Sequence, residues 1–555
     1  MPHGPLHPNP ALRDVVYRNQ WRDTFDGTTP PDWRPTLKVS VVTAAYNSAT
    51  LPLTLASLAA QDYPADLLEV VVIDDGSEVP VEIGEFAPAN TTLIRDEPGQ
   101  GWGRSNALRI GIEQTDGDII YWVDSDMILF SDNVREHAKW AHFIPEAATI
   151  GHKGFIEEWD FTPEQVFEEV RSDKIRSHHD LSTLHRHWSL DVFERTDDLN
   201  SNGGRSYSTH MGACATVTRR VYDRTNGQAP ELRLGDDSEI AYQLWQRGAV
   251  FIPVQSAQTY HLGRATVQNR GDEVNYYNDF HFAQRMPVPR FRRSAENRQW
   301  AVPYITAVVS IEEESLPYVR ECVDRLLNQT ETDLHVVLVG PWSRLRDERR
   351  RVLDDPDMAL WLLHEWFRSE GRVTMVEDVP DDVFPSPYRL DVPATVGLRP
   401  RAVAKMMGIV FGEDIGMVNF VPPDGDDTSP FVRVSHTAAL SRAAFYTGDD
   451  VGLDEVVDAL WGVEWRSNLD EFVDLRQSEP LKKVRRGEPE RVAELQDTLR
   501  RTRKQLKVAR ERVRFLEGTE RATVGQTVHE IARQGLGIAR RARDRAKDAR
   551  GPRHR

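Results

Sequence analysis

Between residues 37 and 130, short β-rich runs alternate with helix-like segments: "KVSVVTA", "LPLTLASLAAQ", "EVVVIDDGS" and later "DIIYWVDSD". This alternation predicts strand, helix, strand units and a mostly parallel sheet, and the unbroken "VVVI" suits a strand covered on both faces. Sheets of this kind bind ligands at the carboxyl ends of their strands. Both "DDGS" (74–77) and "DSD" (124–126) fall at such ends. Strands favour Val, Ile and Tyr, so two carboxylates one residue apart at the close of "IIYWVDSD" demand a reason.

At 555 residues the chain exceeds the roughly 250–300 at which single cores stop growing, so several domains are expected. A proline-punctuated leader, residues 1–36, reads as irregular or wrapped on the surface. The first α/β domain spans 37–298. From residue 299, "PYITAVVSIEEESLPYVRECVDRLLNQTETDLHVVLVGPWS" repeats the order of strand, loop, helix and strand, and predicts a second α/β domain over 299–485. There "VGPWS" stands in place of "IDDGS" and no clear carboxylate pair follows an apolar strand. One vestige is "PPDGDD" (422–427) after "GMVNFV". The second copy reads as inactive.

Over 488–518, Val492, Leu495, Leu499, Thr502, Leu506, Ala509, Val513 and Leu516 recur in steps of three and four, the heptad spacing of a coiled coil. This predicts a homo-oligomer, with antiparallel packing onto the body as the alternative. The tail, 519–555, is strongly basic although the whole chain carries a formal net charge of −18. That acidity excludes bulk affinity for nucleic acid, and the tail has no aromatic residues on which bases could stack. Peripheral contact with anionic lipid is the sharper reading of the tail, a solvated segment the plainer one. Two distant cysteines, no apolar run of membrane length and no signal-peptide core point to a soluble cytoplasmic protein, peripheral at the inner face of the membrane through its tail.

Two carboxylates at a strand end can hold a hard divalent cation that also takes diphosphate oxygens. The plainer reading of "DSD" is a helix cap, and of "DDGS" a β-turn. "GDDSE" (235–239) opens a segment with acidic residues first and Arg247 and Gly248 last, so Asp236 or Asp237 also reads as a helix cap.

In order and spacing, "VSVVTAAYN", "VVVIDDGS", "GWGRSNALRIGI", "IIYWVDSD" and "LRLGDDSEIAYQLWQRGAVFIPVQSAQTYHLGR" resemble family-2 glycosyltransferases with the GT-A fold, in the chondroitin-polymerase-like and polypeptide N-acetylgalactosaminyltransferase-like branches. The resemblance covers about residues 37–270. It implies a Rossmann-like GT-A domain and a metal-dependent, inverting transfer of a sugar from a nucleotide sugar, most simply a UDP-sugar. The acceptor would be a hydroxyl of a glycan or lipid-linked glycan. By position, Thr43, Tyr46, Asn47 and either Asp74 or Asp75 would bracket the nucleotide, and Arg104 would lie near the donor. Asp124 would face ribose or sugar, and Glu239 would touch substrate. Asp126 and His261 would hold Mn2+ or Mg2+, imidazole favouring manganese, although a buried histidine bonded to backbone also fits His261. Asp237, with Asp236 beside it, stands at the position of the catalytic base. Asn202, Arg205 and His210 are polar candidates for the acceptor loop.

Departures from the family pattern are "TAAYN" without a proline, "GRSNA" in the donor segment and no QxxRW sequence. Two rivals are a non-catalytic sugar- or nucleotide-binding scaffold and a sugar-nucleotidyltransferase. The second lacks its glycine-rich opening loop, since "TAAYNSAT" has no glycine.

Overall fold

The computed structural model describes residues 9, 12–96, 101–185, 187–201, 206–210, 212–293, 298–349, 351–422, 431–448, 450–467 and 471–477, and most of 500–508. The chain divides into two compact units, residues 1–287 with 296–478, and residues 288–295 with 479–555. In the second unit, Arg290–Arg292 form a 3-10 turn and the described part of 500–508 is helical. The rest of the heptad segment and the basic tail lie outside the described residues.

The first unit contains two large sheets. One has the strands β1 (Val39–Ala45), β2 (Leu68–Asp74), β3 (Thr91–Arg95), β4 (Ile119–Val123), β5 (Met127–Leu129), β6 (Ala147–Ile156), β7 (Cys214–Thr218) and β8 (Val250–Leu262) in the order β3-β2-β1-β4-β7-β6-β8-β5. The first four run parallel, whereas β7 lies antiparallel to both β4 and β6. The fold is mixed α/β, the class that the family resemblance implies. Both faces of β1 are covered, as its run of β-branched residues requires. Val39 and Val41 pack with Leu51 and Leu55 of the helix Leu51–Ala59, while Val42 packs with Leu108 and Tyr242 from the helices Arg104–Glu113 and Asp236–Gln246.

The other sheet comprises β9 (Ile305–Ser310), β10 (Leu334–Val339), β11 (Val373–Val376), β12 (Tyr388–Asp391), β14 (Met417–Phe420), β15 (Val432–His436) and β16 (Val463–Arg466). A two-stranded ribbon pairs β13 (Val396–Leu398) with β17 (Phe472–Asp474). The order of the seven-stranded sheet, β11-β10-β9-β12-β15-β14-β16, retraces the first sheet strand for strand up to β8. The ladders fix the correspondence. Val39 pairs with Leu68 and Ile119, and Ile305 pairs with Leu334 and Tyr388. Counting along the strands sets Asp74-Asp75-Gly76-Ser77 against Gly340-Pro341-Trp342-Ser343, and Asp124-Ser125-Asp126 against Pro393-Ala394-Thr395. Ala148 of β6 pairs with Val217, and Met417 of β14 pairs with Ser435, at equivalent steps of β7 and β15. "GMVNFV" is therefore the counterpart of β6 and not of β4, so "PPDGDD" does not occupy the position of the "DSD" pair. Its residues 423–427 lie outside the described residues.

The leader is irregular apart from the 3-10 turn Trp21–Asp23, but it is not superficial. Trp21 and Phe25 are buried against Trp140, with ring centroids 5.1 and 5.0 Å away. Leu12 packs with Met417 and Trp461 of the second sheet's layer. Arg442, fully buried, donates to the carbonyls of Val16 (3.1 Å), Arg18 (2.6 Å), Gly248 (2.6 Å) and Ala249 (3.1 Å). Leader and both sheets therefore meet at one guanidinium, and the domains expected over 37–298 and 299–485 share one compact unit. Both cysteines are free and buried. Among the described residues no helix is long and apolar enough to cross a membrane.

Candidate active site

The carboxyl ends of β1, β2 and β4 and the start of the helix Asp236–Gln246 converge on one cleft. The turn after β4 is held from behind by hydroxyls. Thr50 Oγ1 donates to the Ser125 carbonyl (2.9 Å), and the N–H groups of Met127 and Leu129 donate to Thr54 Oγ1 and Ser57 Oγ, both at 3.1 Å. These three polar residues lie at the cap and inside the otherwise apolar "LPLTLASLA" helix, the signal that could have revealed them in the sequence.

The short strand β5 then runs antiparallel to β8, with Met127 opposite His261. Asp126 Oδ1 and His261 Nε2 come within 3.8 Å of one another. Asp126 Oδ1 is buried without a hydrogen-bond partner, and so is His261 Nδ1. Burial, then Asp124, pushes the Asp126 carboxyl up to about 7. Burial, then the Lys153 ammonium, lowers His261 to about 4, so its imidazole is neutral near pH 7. A carboxylate oxygen and an imidazole nitrogen, Asp126 Oδ1 and His261 Nε2, 3.8 Å apart leave the spacing a cation would need, because ligands at about 2.1 Å from one ion stand up to about 4.2 Å apart. Among the described residues no group of three His, Cys, Asp or Glu is arranged for a metal, so an ion here would need oxygens from a ligand.

Arg104 is the hub of the cleft. Its Nε donates to Asp124 Oδ1 (2.9 Å), Nη1 pairs with Asp236 Oδ2, and Nη2 donates to the Gly212 carbonyl (2.7 Å). A Cβ on Gly212 would fall 2.5 Å from Nη2, so only glycine lets the guanidinium lie there. Burial opposes the charge of Arg104, but Asp124, Asp236 and Asp237 together raise its pKa. Arg104 is thus bonded to two carboxylates and a carbonyl, at the position where the resemblance implies a basic residue near the donor.

Asp236 and Asp237 open their helix behind Gly235, which sits at φ +75°, where a Cβ would also strike Phe282 and Asn278 at 2.6 and 2.9 Å. Asp236 is buried and paired to Arg104. Asp237 Oδ1 accepts from the Ser238 N–H (2.7 Å), and Oδ2 makes no hydrogen bond among the described residues. Burial, then Asp236, raises the Asp237 carboxyl above its usual range against the pull of Arg104. Glu239, expected to touch substrate, is instead 6% exposed, and both its oxygens accept from Gln243 Nε2 at 3.0 and 2.8 Å. One helical turn along, the next polar side chain lies over it, and helix geometry aims Glu239 inward.

The structure separates the two aspartates of "DDGS". Asp74 is buried and caps its own turn, accepting from the N–H groups of Ser77 (2.8 Å) and Val81 (3.3 Å). Burial would raise its pKa, but the bonds from Ser77 and Val81 outweigh it and hold the carboxyl low. Asp75 is half-exposed and accepts from the Gly103 N–H at 3.0 and 2.8 Å, with burial raising its pKa. Thr43 lies within β1, fully buried, and not on the loop. Asn47, at φ +47°, clamps the turn: its N–H donates to Ser77 Oγ (2.9 Å) and its Oδ1 accepts from the Glu78 N–H (3.0 Å). Of that group, Tyr46, 59% exposed, has its ring free for a ligand.

Residues 40–196 match the family described as Glycosyl transferase family 2. The chain carries a family 2 glycosyl transferase domain. It is 25% identical to the chondroitin synthase of Escherichia coli over 340 residues, covering 57% of this chain and 48% of that protein. It is 23% identical to the hyaluronan synthase of Pasteurella multocida over 332 residues, covering 55% of this chain and 33% of that one. The chain thus spans about half or less of these relatives' lengths. A solved mannosyltransferase of Pyrobaculum calidifontis, in complex with GDP-Man and Mn2+, is 20% identical with a TM-score of 0.29, covering 50% of this chain and 70% of its own.

One residue of the glycosyl transferase domain escaped the sequence reading. Lys153, on β6 beyond the bulge at Gly151/His152, is half-buried and makes no hydrogen bond or ion pair with the described residues. Burial lowers its pKa, while Asp124, Cys214 and Asp237 favour its charge. "GHKGF" carries no motif, and only the ladder from β6 to β8, with Phe155 opposite His261, brings Lys153 to the cleft. His210, a candidate acceptor contact, lies in the core with Trp122 and Phe251, both centroids 5.7 Å away, and burial lowers it to about 4. Asn202 and Arg205 lie outside the described residues.

Proposed function

We propose that the family 2 domain catalyses inverting, divalent-metal-dependent transfer of a sugar from a nucleotide sugar, a UDP-sugar in the simplest case, to a hydroxyl of a glycan or lipid-linked glycan. The observation that carries this reading is the division of labour among four carboxylates. Asp124 and Asp236 are tied to Arg104, whereas Asp126 Oδ1 is buried without a hydrogen-bond partner and, among the described residues, Asp237 accepts hydrogen bonds only at Oδ1, from Ser238. Relatives named for chondroitin and hyaluronan synthesis support a glycan acceptor.

In this reading the exposed ring of Tyr46 and the Asp75 carboxylate receive the nucleotide base, the carboxylate accepting from an imide N–H. Asp126 and His261 hold Mn2+ or Mg2+, which when bound offsets negative charge on the departing diphosphate. The Lys153 ammonium donates to the same leaving group. Asp124, fixed by Arg104, accepts from a sugar or ribose hydroxyl. Asp237 Oδ2 takes the acceptor's proton as the acceptor oxygen bonds to the anomeric carbon and the bond from that carbon to the diphosphate oxygen breaks. The raised pKa of Asp237 suits this task, because a more basic carboxylate is a better proton acceptor. Asp236 reinforces that basicity while Arg104 cancels its own charge. Self-association through 488–518 and contact of 519–555 with anionic lipid complete the reading.

The test is turnover on a panel of UDP- and GDP-sugars with manganese. Asp237→Asn is expected to lower kcat by about 10²–10⁴ with nucleotide affinity retained, and Asp126→Ala to weaken metal-dependent nucleotide binding. No turnover by the wild type on any donor, together with Asp126→Ala binding nucleotide as the wild type does, would remove the basis of the proposal.

A further inference from the structure

We infer that the cleft of the second sheet is a metal-independent binding site for an uncharged stretch of glycan. The cavity there measures about 1460 Å3 and is lined by Ser310, at the end of β9, and by Val392–Thr395, following β12. By the ladder registers these are the counterparts of the ends of β1 and β4, which carry the candidate active site, and open α/β sheets bind ligands at such ends. The volume exceeds the roughly 300–1,000 Å3 of an ordinary small-molecule pocket and leaves room for several pyranose rings.

The chemistry of the lining restricts the ligand. Pro393-Ala394-Thr395 stands where Asp124-Ser125-Asp126 stands in the first sheet, so the cation ligand of that triplet has no counterpart. The three arginines of the lining are already engaged. Arg389 Nε donates to Asp391 Oδ1 (2.9 Å), Arg433 Nη2 to Asp454 Oδ2 (2.7 Å), and Arg224 Nη1 to the Ser441 carbonyl (2.8 Å). Against them the lining sets Glu312, Asp381, Asp382 and Asp391, so among the described residues no excess positive charge awaits a diphosphate or a polyanion.

What the cavity does offer is aromatic surface and hydroxyls. Trp465 is 59% exposed and meets Phe431 edge to face with centroids 5.1 Å apart. A pyranose ring presents a C–H face that packs on the electron-rich face of an indole. Ser441, which lines the same cavity, has an Oγ that is buried without a hydrogen-bond partner among the described residues. The class of ligand, a glycan, rests on the transferase reading above; the location, the metal independence and the absence of charge rest on this cavity alone.

The test is calorimetric titration of the full chain in EDTA with maltohexaose, an N-acetylglucosamine hexamer and a hyaluronan hexasaccharide. A neutral hexasaccharide is expected to bind in EDTA, and Trp465→Ala to weaken it roughly tenfold or more, as truncating an aromatic anchor does, with the melting temperature unchanged because the indole is exposed. Asp237→Asn should keep this binding while losing transfer, so a chain that binds glycan but never transfers sugar sinks the transferase reading and not this one. The inference is overturned if no hexasaccharide binds in EDTA, or if Trp465→Ala binds as the wild type does. It is equally overturned if the hyaluronan fragment binds tightest with steep salt dependence, which would reveal a polyanion site.

Discussion

Replacing Arg104 by Met separates two consequences of one guanidinium. Asp236, whose side chain is 8% exposed, would be left as a buried carboxylate without a partner, a defect that costs about 3–5 kcal/mol. Asp124 is 32% exposed at its side chain, so losing that pair adds less than about 1 kcal/mol. The bond to the Gly212 carbonyl contributes about 1.5–3 kcal/mol as a hydrogen bond from a charged donor. Against a typical total stability of about 5–15 kcal/mol, Arg104→Met should fold but unfold at distinctly lower urea. Adding Asp236→Asn removes the uncompensated charge, so the double variant should be more stable than Arg104→Met alone by about 2–4 kcal/mol while remaining below the wild type. Equilibrium urea unfolding followed by circular dichroism, with the slope m unchanged across the set, reads the effect directly. A loss below about 1 kcal/mol for Arg104→Met, or a double variant weaker than the single one, would refute the role of Arg104 as the counter-ion of a buried carboxylate.

Other outcomes follow from the same contacts. Glu239, which burial raises from 4.5 to about 7, binds more protons folded than unfolded between those values. Its contribution to stability therefore falls as pH rises from about 4.5 through about 7, and Glu239→Gln should flatten the melting temperature over this range and stabilise the protein at pH 8. Arg442→Met leaves four carbonyls, three of them buried, without their shared donor, at about 1–3 kcal/mol for each buried one if none finds another. Limited proteolysis should then cut the leader near Val16 faster than in the wild type. If Asp237 is the base, the rate falls as pH drops through its raised pKa. Arg104 lowers that pKa, so Arg104→Lys, which weakens the pull without removing the charge, should move the acid limb of kcat/KM to higher pH.

How much of this was legible in the sequence depends on the range over which each signal acts. The strands of the first sheet were legible because "VVVI" and "IIYWV" are β-branched and aromatic runs whose pattern is local. The proximity of Asp126 to His261 was carried only by a family resemblance. Physically it depends on a three-residue strand pairing with a partner more than a hundred positions away, a contact with no local trace. Residue type also says nothing of the local bonds that hold Glu239 and Asp74. Each is a carboxylate in an acidic motif, and each spends its oxygens on its own turn of chain, because a side chain near a free N–H or one helical turn from an amide finds that partner before any ligand arrives. Lys153 is the converse, a plain residue given meaning by a bulge that sets its strand's register. The second sheet makes the point most sharply. Nothing in "PAT" announces a lost carboxylate pair, and "PPDGDD" offers a more tempting remnant. Hydrogen-bonded ladders count residues in a way that similarity of letters cannot, and by that count the acidic run follows the counterpart of β6 while Pro393-Ala394-Thr395 stands where Asp124-Ser125-Asp126 stands. If Asp126 holds the metal as proposed, the second sheet keeps a cleft at the same strand ends without that ligand, which is the combination expected of a site that holds sugar and does not transfer it.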